Sequence, residues 1–410
     1  MSAPALPLDL HSQEFLEDPA PTLAWLREHD PVHRSPYGYW LLTRYDDIAA
    51  AFRDPRLSSE WSKKATLPGV SARHRAPVDL EDPFARAQRT VLHSFNMKDP
   101  PSHTRIRQLV QQAFTRAAVD EQRGRVADVV EELLQAGAER GSLDLVTELA
   151  FPLTITIASE MIGIPASARD RFRASFEETE WLGDPTASEA QRTAARSALV
   201  WQLDFIAGVV SERRHHPTDD LVSALVQAEY EGEHLSDDEI LSALLTLYTA
   251  AGTTTERTIS SGMLLLLQHP RQWAVLQADP SLLSGALAEI LRYHHPNQQT
   301  TTARLALEPI ELHGRTIEAG HTVRLALGAA NRDPRRWADP ERFDIARPEI
   351  VSLSFGQGIH YCIGAPLARM QALAAIGRLA QFTALRLDGS DVRHDPRRMD
   401  RYEHVRVSLG

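Results

Sequence analysis

Cys362, the single cysteine of this 410-residue chain, lies in the run Phe355-Gly356-Gln357-Gly358-Ile359-His360-Tyr361-Cys362-Ile363-Gly364, directly ahead of Ala365-Pro366-Leu367-Ala368-Arg369. A thiolate binds soft metals, and it stays ionised where a helix N-terminus and backbone N–H groups face the sulfur. Glycines at 356, 358 and 364 let the backbone fold tightly enough to turn its amides inward. Pro366 suits a first helical turn, where its missing N–H costs nothing. A lone cysteine is more often a small buried hydrophobe; the glycines and the helix start are what favour a ligand here. The glycines are not a dinucleotide fingerprint, because the third glycine of G-x-G-x-x-G would fall at Tyr361.

Other side chains with chemical potential are spread along the chain. His103 and Arg107 are four apart in Pro101-Ser102-His103-Thr104-Arg105-Ile106-Arg107, which places both on one helix face beside Ile106, Val110 and Phe114. Basic groups bordering an apolar stripe can hold carboxylates, arginine bidentately. Glu289 and Arg292 are three apart, a pair worth at most ~0.5 kcal/mol when exposed. No HExxH, P-loop or G-x-S-x-G is present. His215-His216 and His294-His295 stand at predicted helix ends, where a basic ring suits the dipole better than a metal.

The elements that must carry these groups are mostly helices. Ser236-Asp237-Asp238-Glu239 is a capping box with Leu235 and Ile240 as its hydrophobic staple. The pattern it opens continues to His269-Pro270, a rod of roughly 48 Å. Its middle, Ala250-Ala251-Gly252-Thr253-Thr254-Thr255, is made of small and poor helix formers. Such a stretch marks either a functional site or a place where another helix approaches closely. Upstream, a strand is expected at Tyr39 to Thr43 and a polar, basic loop over Ser58 to Lys98, and helices dominate from Pro101 to about Leu291. From Thr301 to Leu327 the period falls to two, with turns at His313-Gly314 and Ala319-Gly320. Asp388-Gly389 suggests a final hairpin. The fold class is mainly α with small β-sheets, and no repeat or linker divides the single domain expected over 1–410.

Composition narrows the function. A net charge of −11 and a pI near 5.9 argue against nucleic acid as a partner. One cysteine permits no intramolecular disulfide and fits a reducing, cytoplasmic setting. No run approaches ~18 apolar residues, and Met1 to Pro7 lacks the basic and apolar regions of a signal peptide. Neither a membrane nor secretion is expected.

The cysteine run resembles the haem-binding loop of the cytochrome P450 family, Phe-Gly-x-Gly-x-His-x-Cys-x-Gly, with every defined position filled. The resemblance extends, in family order, through His103-Thr104-Arg105-Ile106-Arg107, the long helix, Glu289-x-x-Arg292 and Pro340-Glu341-Arg342-Phe343. It implies heme b (iron protoporphyrin IX) between the long distal helix and the cysteine loop. Cys362 would be the iron ligand, in a loop opened by Phe355 and Gly356. His103, Arg107, Arg304 and His360 would hold the propionates. Glu289 and Arg292, joined by Arg342, would be structural.

Counted back from His269-Pro270, Ala250 and Ala251 match the family's small distal residues and Thr254 its distal threonine. Thr253 stands where most members have Asp or Glu. A hydroxyl cannot carry charge as a carboxylate does, though it can hold water in a relay. Glu256 lies about 200° further round the helix and points elsewhere. The stretch from Arg292 to Arg304 is longer than usual, and its polar run, with Gln299, Thr300 and Thr301, is either a solvated loop or part of the substrate pocket with Leu247, Ala250 and Ala251.

The activity implied is monooxygenation of a small, largely apolar molecule (terpenoid, steroid or polyketide-like) with O2, as in soluble bacterial members, which are expected to be monomers. No flavin or iron–sulfur module is encoded, so electrons are expected from a separate ferredoxin and its reductase, docking at basic residues such as Arg105, Arg116 and Arg369. Two alternatives stay open: peroxide-driven or coupling chemistry on the same fold, because of Thr253, and a non-catalytic haem sensor or carrier.

Overall fold

Tyr39 to Leu42 shows how this sequence builds its core. Trp40 and Leu42 point into one apolar cluster with Ile48, Val323 and Leu325, while Tyr39 and Leu41 point into another with Phe15, Leu26 and Ala329. A strand buried on both faces reads as a continuous apolar run, as this one does. The structure is a computed structural model that describes residues 8–10, 12–67, 81–183, 187–297, 303–395 and 401–409. It forms two compact units, one of Met1–Val70, Arg123–Leu153 and Thr253–Gly410, the other of Ser71–Gln122 and Thr154–Gly252.

The first unit contains all the named strands. They are β1 (Val32–Arg34), β2 (Tyr39–Leu42), β3 (Leu57–Ser58), β4 (Ser142–Asp144), β5 (Arg304–Ala306), β6 (Ile310–Leu312), β7 (Arg315–Ile317), β8 (Thr322–Leu325), β9 (Arg386–His394) and β10 (Tyr402–Ser408). The largest sheet has the order β1-β2-β8-β5-β3, with β2 and β8 parallel in the register Trp40 to Val323. The expected turn at His313-Gly314 joins β6 and β7, with φ of +49° and +72°. Positive φ at both central residues is what a tight two-residue hairpin requires.

The final hairpin also forms, but Asp388 and Gly389 lie inside β9 rather than at its turn. Val407 pairs with Leu387 and Val405 with Val392, so the extra residues between Leu387 and Val392 form a bulge, a common role for a strand glycine. Beyond β9, Asp395 N–H donates to the Arg401 carbonyl at 2.8 Å.

The second unit is helical. Phe172 is fully buried, 4.8 Å from the Trp201 ring, 5.0 Å from Phe205 and 5.3 Å from Tyr248. The polar stretch expected as loop over Ser58 to Lys98 contains a helix, Pro83–Val91. Asp82 caps it by accepting from Phe84 N–H at 3.0 Å, and Pro83 sits where a missing N–H is harmless.

The long helix runs from Asp237 to Gln268 without a break. Its capping box closes as expected: Ser236 N–H donates to Glu239 Oε2 at 2.9 Å, and Glu239 N–H to Ser236 Oγ at 3.3 Å. The small residues at its middle stay helical. The Thr154 hydroxyl donates to the Gly252 carbonyl at 2.9 Å.

Candidate functional site

Gly356 and Gly358 have φ of +71° and +69°, a region that side chains with a Cβ rarely enter. A Cβ on Gly358 would also meet the Phe52 carbonyl oxygen at 3.0 Å. These two turns carry the chain back so that Cys362 N–H donates to the Phe355 carbonyl at 2.9 Å. Cys362 is exposed and stands just before the helix Ala365–Leu379, which starts from Gly364 with Pro366 in its first turn. The positive end of that helix favours the thiolate over the thiol. Phe355 is covered by the Arg369 guanidinium, 4.5 Å from its ring centre.

Behind the loop lies a buried ionic network. Glu289 and Arg292 are fully buried. Arg292 Nε donates to Glu289 Oε2 at 2.7 Å and Nη2 to Oε1 at 2.8 Å. Arg292 Nη1 donates to the Asn331 carbonyl at 2.9 Å. Asn331 Oδ1 in turn accepts from Leu353 N–H at 2.8 Å, and its Nδ2 donates to Ser354 Oγ at 3.1 Å. The network therefore reaches the residue before Phe355.

Arg342, expected to join the pair, does not. Its side chain is 66% exposed and lies 3.5 Å from Asp344. Arg347 takes the position, donating from Nε to Glu289 Oε1 at 3.2 Å. Arg342 contributes only its carbonyl, which accepts from Arg292 and Arg347.

Arg304 opens β5 and is buried, and His360 Nε2 is 3.1 Å from Ser59 Oγ. Both belong to the unit that holds Cys362. His103 and Arg107 belong to the other unit, on the helix Ser102–Ala113. His103 is buried and Arg107 lies 6.0 Å over the Phe95 ring. Arg105, expected as a docking residue, is already engaged: it pairs with Glu239, with Glu233 at 3.2 Å, and with the His234 carbonyl at 3.2 Å. Attraction to two carboxylates in its own unit outcompetes an open surface position.

On the long helix, Leu247, Ala251 and Thr254 follow one another at helical spacing beside Ala250. Ala250 is exposed and the other three are half-buried, between the buried Tyr248, Gly252 and Thr255. Thr246 and Thr249 are half-buried too, so the middle of the helix is more open than the stretch from Thr255 to Leu266, which is buried throughout. Thr253 is half-buried as well. Glu256 is buried and accepts from the Ser260 hydroxyl at 2.9 Å, well round the helix from Thr254. Gln299, Thr300 and Thr301 lie outside the described residues.

His294 ends the helix Leu283–Tyr293 as expected, its N–H donating to the Ile290 carbonyl at 2.8 Å, and both it and His295 are also shifted by their surroundings. His215 does bond back to the Ser211 carbonyl at 2.8 Å, as a helix terminus predicts. His294 is half-buried, and the desolvation of its ring, with Arg332 nearby, pushes its pKa down to about 4. Burial also lowers His295, which bonds the Ser354 carbonyl. Arg347, Asn331 and His295 were not singled out as site residues. Only Arg347 had a local signal, as a basic residue just past Pro340-Glu341-Arg342-Phe343.

The donor set fits a haem on this structure's own terms: one accessible sulfur at a helix N-terminus in a two-glycine cradle, with the basic side chains of Arg304 and His360 in the same unit. Among the described residues no single helix is long and apolar enough to cross a membrane.

Comparison with known proteins agrees with this geometry. The family model described as Cytochrome P450 matches residues 80–398. The 6-deoxyerythronolide B hydroxylase of Saccharopolyspora erythraea is 40% identical over 397 residues, covering 94% of this chain and 94% of its own. The vitamin D(3) 25-hydroxylase of Pseudonocardia autotrophica is 37% identical over 375 residues, covering 90% of this chain and 88% of its own. Among solved structures, the bacillaene polyketide synthase cytochrome P450 PksS of Bacillus subtilis 168 matches with a TM-score of 0.88 at 32% identity, over 98% of this chain and 100% of that one. The mainly helical fold with its small sheets is the cytochrome P450 fold, and the chain belongs to the cytochrome P450 monooxygenase family.

Proposed function

We propose that this enzyme holds heme b through the Cys362 thiolate and inserts one oxygen atom from O2 into a largely apolar small molecule of polyketide or steroid type. The observation that carries the reading is the exposed Cys362 just before the Ala365–Leu379 helix, in a loop turned by glycines 356 and 358 at positive φ. The substrate class is supported by relatives named for 6-deoxyerythronolide B, vitamin D(3) and bacillaene polyketide synthase.

When bound, haem supplies the dioxygen chemistry, and a thiolate ligand pushes electron density toward O–O cleavage. The chain's own residues do the rest. His103 and Arg107 of one unit, and Arg304 and His360 of the other, would hold propionate carboxylates through charge-assisted hydrogen bonds. Leu247, Ala250 and Ala251 offer an apolar, low-relief stripe against which a substrate can lie. Thr254 keeps a hydroxyl at the end of that stripe, where it holds a proton or a water on the oxygen side. Thr253 can hold water but cannot store charge as a carboxylate does. That substitution favours a second reading, peroxide-driven or coupling chemistry, over a non-catalytic haem carrier.

In this reading residues 1–410 work as one haem domain, as a monomer in the cytoplasm. A separate ferredoxin and its reductase deliver electrons, with Arg116 in one unit and Arg369 in the other each a candidate docking residue. The test is the absorbance of the dithionite-reduced protein with and without carbon monoxide. A strongly red-shifted Soret band that disappears in Cys362→Ala is expected. A histidine-type band in folded protein removes Cys362 as the ligand, and absence of any haem band removes the enzymatic reading.

A further inference from the structure

His295 lies three residues past Arg292 and is buried. Its Nδ1 is 2.9 Å from the Asn297 backbone nitrogen. A backbone N–H can only donate, so Nδ1 accepts and the ring proton sits on Nε2. That Nε2–H donates to the Ser354 carbonyl, 2.9 Å away. The same peptide group leads into Phe355, whose own carbonyl takes the Cys362 N–H at 2.9 Å. Burial holds His295 below its usual pKa, which keeps the neutral ring and its single donor.

The two residues after His295 are held from the long helix. Arg257, three residues past Thr254, donates from Nη1 to the Pro296 carbonyl at 3.3 Å and to Asn297 Oδ1 at 3.4 Å. A continuous set of hydrogen bonds and peptide units thus runs from the distal helix through Asn297 and His295 to the loop of Cys362.

We propose that His295 is a positioning residue for Cys362. It orients the peptide ahead of Phe355, and through it the backbone N–H groups around the sulfur, and it ties that loop to the segment held by Arg257. The inference rests on Cys362 being the haem ligand. Hydrogen bonds around a ligand set how strongly it is held and how much electron density it donates. A loop released at Ser354 leaves the sulfur easier to protonate and to lose.

The test uses the haem-loaded protein and two variants. His295→Phe keeps the ring and removes both hydrogen bonds; His295→Gln keeps a donor that can reach the Ser354 carbonyl. Two quantities are followed: the decay of the red-shifted Soret band of the reduced carbon monoxide complex, and the haem reduction potential. Loss of an outer-sphere partner typically costs 10–100-fold, so the band should decay at least about ten-fold faster in His295→Phe, with a shifted potential. His295→Gln should stay close to wild type in both. Wild-type decay and potential in His295→Phe overturn the proposal. So does equally fast decay in both variants, which would make the role one of packing. If His295→Phe does not load haem, His295→Gln decides: wild-type behaviour supports the hydrogen bond, and rapid decay overturns it. A wild-type protein without the red-shifted band overturns the Cys362 reading and this inference with it.

Discussion

Arg347 is the second guanidinium on the buried carboxylate of Glu289: its Nε donates to Oε1 at 3.2 Å, beside the two bonds from Arg292. Asp344 N–H adds another at 2.9 Å. A fully buried carboxylate survives only when its lone pairs are filled in this way. Arg342, five residues earlier, faces solvent and Asp344 instead.

Arg347→Ala should therefore cost about 3–5 kcal/mol, the usual result of removing one partner from a buried ionic set. Arg342→Ala should cost at most ~1 kcal/mol, as for an exposed pair. Denaturant unfolding of the haem-loaded protein measures both. Equal losses would mean that Arg342 and not only Arg347 supports Glu289.

The stability of the protein should fall with acid partly through His294. Its folded-state pKa of about 4 lies below the ordinary 6.5, so between those values the unfolded chain binds a proton that the folded one excludes. The contribution is complete above pH ~6.5 and is lost as pH falls toward ~4, up to about 3 kcal/mol in all. Unfolding free energy measured across that range should show a shallower slope in His294→Gln. An unchanged slope would place the proton uptake elsewhere.

Thr254→Ala should reduce the share of consumed electrons that appears as product, because a hydroxyl at the end of the open stretch is lost. Thr253→Glu should raise that share if a charge-storing group is what the position lacks; general acid–base groups are worth about 10²–10⁴-fold where proton transfer limits the rate. Product formed per electron pair is the measurement. No change in Thr253→Glu would show that the threonine is not the limiting feature.

Charge reversal at Arg369 should slow reduction by an acidic ferredoxin several-fold at low salt and flatten the salt dependence, since exposed charges act mainly on association. Arg116, 93% exposed and 3.7 Å from Asp120, is the second position to reverse. Arg105→Glu should instead destabilise its own unit by breaking the contacts with Glu233 and Glu239. Stopped-flow reduction at two salt concentrations separates these outcomes. Indifference to charge at both Arg369 and Arg116 would move the docking surface elsewhere.

The features readable along the chain were those governed by neighbours within a few residues. Positive φ at Gly356 and Gly358, the capping box at Ser236, and the His313-Gly314 turn depend on local backbone sterics and on bonds spanning three or four residues. The pairing of Glu289 with Arg292 is local too, since three residues bring them to one helix face. Pattern alone therefore placed the thiol, its helix and the rod that carries Thr254.

The partner choices of similar side chains were settled elsewhere. Arg342 and Arg347 are both arginines beyond the same proline, and packing selects the one that reaches Glu289. Arg105 and Arg369 are equally basic in the sequence, yet Glu233 and Glu239 engage the first while the second lies over Phe355. His295 finds Ser354 across 59 positions of chain. Burial makes each of these choices, because a polar group removed from water must take whichever partner the folded backbone brings within about 3 Å. That selection acts between distant segments and leaves no periodicity to read.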